Sequence, residues 1–193
     1  MPKAKISREM VVDAAFDITR REGIENVNAR AVAEKLGCST QPVMYHFSRI
    51  EDMKRAVFDK ADLFHSDYLM NVRGADEGIM LGIGLNYIRF AIREPHLFRF
   101  LFQSGYAEGN SLIEMIDSEG LRPILEMMGG AMKTDLRQTK EIFLTIAMFA
   151  HGYASIIANN SLEYDEASVT VHLERAYRGA VLAAREERHE ETV

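Results

Sequence analysis

The chain has 193 residues, 47% of them hydrophobic and 27% charged, with a net charge of −6, four prolines and one cysteine. That length buries a full core, as one domain or as two, and the lone Cys38 excludes an internal disulfide framework and fits a reducing cytoplasm. The acidic total alone argues against nucleic acid, but the charge is uneven: basic residues outnumber acidic ones over residues 1–60 and the balance reverses beyond, as expected when one end meets phosphates.

The first nine residues are polar and basic with no apolar run behind them, so no signal peptide is read. A first helix is predicted from a Ser7 cap to about Glu22, with Val11, Ala14, Ala15 and Ile18 at helical spacing and Val12 and Phe16 beside them. Gly23 is placed to take a left-handed conformation that ends it. Asn28 caps a second helix to about Leu36, with Val32 and Leu36 inward, and Gly37-Cys38 makes the turn.

Ser39 is positioned to cap a third helix, and Pro42 falls in its first turn, where a missing N–H is harmless. Val43 and Phe47, four apart, point to the core, while Thr40, Gln41, Met44 and Tyr45 point away. Two short helices joined by a glycine turn, the second exposing polar and aromatic groups, are what a major-groove reader needs. Gln41 suits adenine edges, Arg30 guanine, and Tyr45 and Thr40 phosphate or the thymine methyl. Lys3, Lys5 and Arg8 form a short basic arm.

Further helices are predicted at about 50–72, 76–93, 96–104, 110–129, 134–159 and 165–188, with Asp76, Asn110, Thr134 and Asp165 as caps and breaks at Pro95 and Gly129-Gly130. No segment alternates with period two over a strand's length, so the fold class is all-α. The most apolar windows, 142–158 and 78–92, are interrupted and short for a bilayer, and read as core helices rather than membrane spans.

Phe64, Phe90, Phe102, Met115, Phe143 and His151 are the residues to line an apolar pocket between helices, within a Phe-, Met- and Tyr-rich C-terminal part. His46, His65, His96, His151, His172 and His189 show no paired i, i+4 spacing, so no metal site is expected. Neither a phosphate loop nor a nucleophile elbow is present, Glu114 and Asp117 lie on a solvated face, and no catalytic group or cofactor is expected. Ala147, Ala150, Ala154 and Ile157, then Val169, Leu173, Ala176 and Ala180, give two long helices an apolar stripe suited to a four-helix interface with a second copy.

From Ala33 through Leu36-Gly37-Cys38-Ser39 to Tyr45-His46-Phe47 and Glu51-Asp52-Met53, the sequence resembles the TetR family of bacterial transcriptional repressors. The resemblance is strong over about residues 6–58. It implies a helix-turn-helix DNA-binding domain at 1–50 and a larger helical ligand-binding and dimerisation domain at 51–193. It also implies a homodimer that binds palindromic double-stranded operator DNA and is released by a small apolar effector. By that resemblance Arg30, Ser39, Thr40, Gln41, Pro42, Tyr45, His46, Arg49 and Lys54 would meet the DNA, His46 at a phosphate. Met44, Ile50 and Gln41 depart from the family's pattern, where Tyr, Lys and Gly are common. A small-molecule-binding or protein-interaction module with a vestigial helix-turn-helix is the competing class.

Overall fold

The computed structural model describes residues 6–72, 79–106, 116–117, 119–160 and 162–190, with the side chains of 79 and 187–190 excepted. All regular structure among them is helical: α1 (Arg8–Glu22), a 3-10 turn (Ile24–Asn26), α2 (Ala29–Lys35), α3 (Thr40–His46), α4 (Ile50–Met70), α5 (Ile79–Arg93), α6 (Pro95–Gln103), α7 (Arg122–Met132), α8 (Leu136–Asn160) and α9 (Glu166–Glu190). The Asp76 and Asn110 caps, Lys3, Lys5, Glu114 and Met115 lie outside the described residues.

Two compact units divide the chain. The first holds Met1–Tyr68 and Arg93–Ala107, the second Leu69–Ile92 and Glu108–Val193. The expected functional boundary at residue 50 coincides with the start of α4, whereas the compact units part near the other end of that helix.

In the first unit α1 is pinned at its start by the Ser7 hydroxyl, which accepts from the Met10 N–H at 3.1 Å. Its predicted apolar face is buried from Val11 to Ile18. Gly23 has φ 99 but ψ 156, so it ends α1 in an extended positive-φ conformation rather than the left-handed one expected, and feeds the 3-10 turn. Asn28 caps α2, its Oδ1 accepting from the N–H groups of Arg30 and Ala31 at 3.1 and 3.0 Å. Leu97, Phe98, Phe100 and Leu101 bury the apolar side of α6, which packs on α1.

In the second unit the most extensive packing joins α8 to α9. Of the expected dimer stripe, Ala150, Ala154, Ile157, Val169 and Leu173 are buried within one protomer, whereas Ala147, Ala176 and Ala180 are half-buried. Periodicity marks an apolar stripe but not its partner. The large apolar groups left exposed on these helices are Leu136, Met148 and Ile156 on α8 and Val171 and Leu182 on α9.

At 25 residues, α8 exceeds the expected window and by length and composition alone is long and apolar enough to cross a membrane. Only 22% of its most apolar stretch is buried.

Two local expectations for this unit are corrected. The helix before α8 does not break at Gly129-Gly130; α7 runs through both and ends at Lys133, which takes the left-handed conformation at φ 56. Gly129 instead permits close approach, since a Cβ there would lie 3.0 Å from the Thr139 hydroxyl. The cap of α8 is Asp135, not Thr134: its carboxylate accepts from the Gln138 N–H at 2.9 Å while Gln138 Oε1 accepts in return from the Asp135 N–H. Asp165 caps α9 as expected, accepting from the Ala167 N–H.

A polar chain orders the second unit around α5. Asn86, buried, donates from Nδ2 to the carbonyls of Leu69 and Asn71 at 3.3 Å each, satisfying orphan acceptors at the end of α4. Arg89 donates to Asn86 Oδ1 at 3.0 Å and grips both Glu166 oxygens at the start of α9.

Candidate nucleic-acid interface

The turn between α2 and α3 is closed by backbone bonds that leave little freedom. The Cys38 N–H donates to the Ala33 carbonyl and the Gly37 N–H to that of Glu34, both at 3.0 Å, with Gly37 at φ 63. This paired arrangement satisfies the last carbonyls of α2 and requires a left-handed residue, which glycine supplies without a Cβ clash. Cys38 is half-buried behind it.

α3 is therefore launched in a fixed direction. Ser39 occupies its N-cap position in extended backbone, but its hydroxyl makes no capping bond, contrary to expectation. The hydroxyl stays on an exposed residue.

Behind α3, Val43 and Phe47 are buried, and the Arg8 guanidinium lies over the Phe47 ring, 4.8 Å from its centre. In front, Thr40, Gln41, Met44 and Tyr45 are exposed. Helical spacing pairs Thr40 with Met44 and Gln41 with Tyr45, each four apart, so the four side chains share one outward face.

Arg30, on the first turn of α2, and Arg49, just before α4, are exposed too, and Pro42 is half-buried. Lys54 is half-buried and lies 3.9 Å from Glu51, one helical turn before it. His46 has a partner in the protein: its Nε2 donates to the Ile6 carbonyl at 2.9 Å and ties the segment before α1 to the end of α3.

Met44, expected to point away from the core, is exposed and adds an apolar group to the outward face, although it was not named among the DNA contacts. Glu94 had no local signal, because its partner Arg20 stands 74 residues away.

The residues expected to line a pocket fall in different units. Phe64 and Phe102 belong to the first, where Phe64 meets Phe16 edge-on at 5.6 Å and Phe102 meets His65 edge-on at 5.2 Å. Phe90, Phe143 and His151 belong to the second, with Phe90 fully buried. Met115 is outside the described residues.

His151 Nδ1 accepts from the Tyr87 hydroxyl at 2.8 Å; burial pushes the imidazole's pKa down and the phenol's up, so both stay neutral. A separate groove of about 560 Å³ lies between α7 and the start of α8, lined by residues such as Ile116, Arg122, Leu125, Glu126, Gly130 and Lys140. It contains none of the expected pocket residues. Among the described residues no cluster of three or more His, Cys, Asp or Glu side chains is arranged to hold a metal ion.

No family model matches the chain. It is 22% identical over 170 residues to an uncharacterized HTH-type transcriptional regulator, YobS, of Bacillus subtilis (strain 168), spanning 86% of each protein. Among solved structures it is similar to a tetR-family transcriptional regulator from Streptomyces coelicolor, with a TM-score of 0.73 at 15% identity over 95% of this chain and 83% of that one. It is also similar to BioQ, solved with its natural double-stranded DNA operator, with a TM-score of 0.57 at 16% identity over 92% of this chain and 99% of that one. An all-α chain with a glycine-closed helix-turn-helix followed by a larger helical part thus has the fold of the TetR-family transcriptional regulators.

Proposed function

We propose that this protein is a sequence-specific, DNA-binding transcriptional regulator of the TetR family that acts in the cytoplasm as a homodimer. One observation carries the reading: α3 is pinned from behind by Val43 and Phe47 and shows Thr40, Gln41, Met44 and Tyr45 on one open face. A packing corner without a partner has no use for an exposed Tyr and Gln at i, i+4. In the major groove the same groups read bases and brace against the backbone.

On this reading Gln41 and Arg30 contact base edges, while Ser39, Thr40, Tyr45 and Arg49 contact phosphates, sugars or thymine methyls. Pro42 packs against the groove wall. Lys54 contributes charge at the edge of the contact, and His46, held at Nε2 by the Ile6 carbonyl, lies beside a phosphate. Two copies would place their α3 helices about 34–36 Å apart, or a multiple of that, on a palindrome.

Residues 51–193 form the effector and dimer part. The effector is a small apolar molecule with a polar anchor, and the Tyr87–His151 pair is the place to seek it. Binding there favours a spacing of the heads that no longer fits the operator, so the protein acts as a repressor released by ligand.

The test begins with genomic fragments retained by the purified protein, followed by fluorescence anisotropy on the recovered duplex and a scrambled one. Sequence-selective, salt-sensitive binding supports the regulator. Weak binding indifferent to sequence supports a module whose helix-turn-helix has lost its operator.

A further inference from the structure

Residues 93–107 belong to the first compact unit although the chain on both sides of them belongs to the second. The unit that carries the helix-turn-helix is completed by a segment reached only after α5 has been made. How that segment is held follows from a few side chains.

Arg20 of α1 donates from Nε to Glu94 Oε2 at 2.7 Å, and a second bond runs from its Nη2 to Oε1. Glu94 is only 7% exposed. It stands at the N-cap position of α6 yet caps nothing there, its carboxylate being committed to α1. The Arg20 guanidinium also lies over the Phe64 ring of α4, 5.2 Å from its centre. One side chain thus touches α1, α4 and α6.

The far end of the segment is fastened to α4 as well. The Tyr106 hydroxyl donates to Glu51, Arg55 donates to the Tyr106 carbonyl, and the Tyr106 ring stacks on Phe58 at 6.3 Å. Burial, then the bond to Glu51, lifts the Tyr106 phenol to about 12, so this donor persists at any physiological pH.

A buried carboxylate is costly to desolvate, and an apolar contact would dock α6 at less expense. A two-pronged guanidinium–carboxylate bond supplies direction instead, fixing angle and register. The helices it fixes are the ones that frame α3: α1 packs against α3, and α4 begins four residues after α3 ends.

We propose that Arg20 and Glu94 are positioning residues for operator recognition: their ion pair seats α6 on α1 and so sets the orientation in which α3 is presented. The proposal rests on the DNA-binding function argued above.

The decisive variant is Glu94→Gln in the full-length protein. Removing a negative charge from the DNA-binding unit should, by general electrostatics, tighten every duplex. Loss of positioning should weaken the operator alone. The two effects have opposite signs.

We expect Glu94→Gln to bind the recovered operator duplex at least about tenfold more weakly while a scrambled duplex of equal length binds as before or tighter. The exchange Arg20→Glu with Glu94→Arg should return operator affinity to within about threefold of wild type. Should Glu94→Gln fail to fold, as judged by circular dichroism, Arg20→Lys keeps the charge, loses the fork and carries the same expectation.

Unchanged or tighter operator binding by the folded variant overturns the proposal. So does a parallel loss on both duplexes, which marks a merely structural pair, or a folded exchange variant that stays defective. A wild-type protein that does not distinguish the two duplexes sinks the regulator reading itself, a different and separately visible failure.

Discussion

Val43 and Tyr45 stand two positions apart on α3, and the first is 0% exposed while the second is 83% exposed. On a seven-residue helix that contrast separates the groups that hold it from those that can touch a partner. Their substitutions should therefore separate stability from binding. Tyr45→Ala is expected to leave the urea midpoint unchanged and to weaken operator binding by about tenfold, or about 1.4 kcal/mol. Val43→Ala should cost about 2 kcal/mol of unfolding free energy by opening a cavity behind the helix. Paired urea melts and anisotropy titrations check both.

Gln41 lies one turn before Tyr45 on the same open face. If it reads a base, Gln41→Ala loses discrimination at one position of each half-site, worth about 1–3 kcal/mol, while affinity for the other bases falls little. Titrating wild type and variant against a set of operators substituted one position at a time would show the relaxed preference at a single pair of symmetric positions. A uniform loss across the set would assign Gln41 to the backbone.

Burial drives the His65 imidazole down to about 4 from its ordinary 6.5. Between those values the unfolded chain takes up a proton that the folded one refuses, so stability falls as the pH falls through this window. Above about 7 the residue has no effect. The loss amounts to about 3 kcal/mol by pH 4. Urea unfolding at several pH values should show a shallower acid decline in His65→Leu than in wild type, and equal slopes would refute the assignment.

The outward apolar groups of the last two helices provide a test of the proposed dimer. Val171 and Leu182 are both exposed and, 11 residues apart, return to one side of α9. Leu182→Glu should shift sedimentation toward monomer while the protomer's helicity is retained. Leu173→Ala, a buried side chain of α9 that lies against Gly84 of α5, should instead lower the melting temperature through a loss of about 3 kcal/mol and leave the association state intact at low temperature.

Local chemistry was legible in the sequence because it is short-range. The caps at Ser7, Asn28 and Asp165, the glycine turn and the two anchors of α3 each depend on neighbours within a few residues. What was misread depends on partners far along the chain. Gly129-Gly130 looked like a break because glycine weakens helices, but the close approach of Thr139 gives it a reason to remain in one. The stripe from Ala150 to Leu173 announced burial without saying against what. Thr134 was read as the cap of α8, and the reciprocal bonds between Asp135 and Gln138 give that place to the next residue.

The place of residues 93–107 in the first unit also sets an order of events during synthesis. A ribosome releases α1 to α4 well before it releases α6, so the nascent head waits with the α1 surface that α6 covers still wet and with Arg20 lacking its carboxylate. Domains as a rule finish as units while the chain emerges. Here maturation of the amino-terminal unit is delayed until more than half of the polypeptide has left the exit tunnel, and a fragment that stops after α4 would present that uncovered apolar surface permanently.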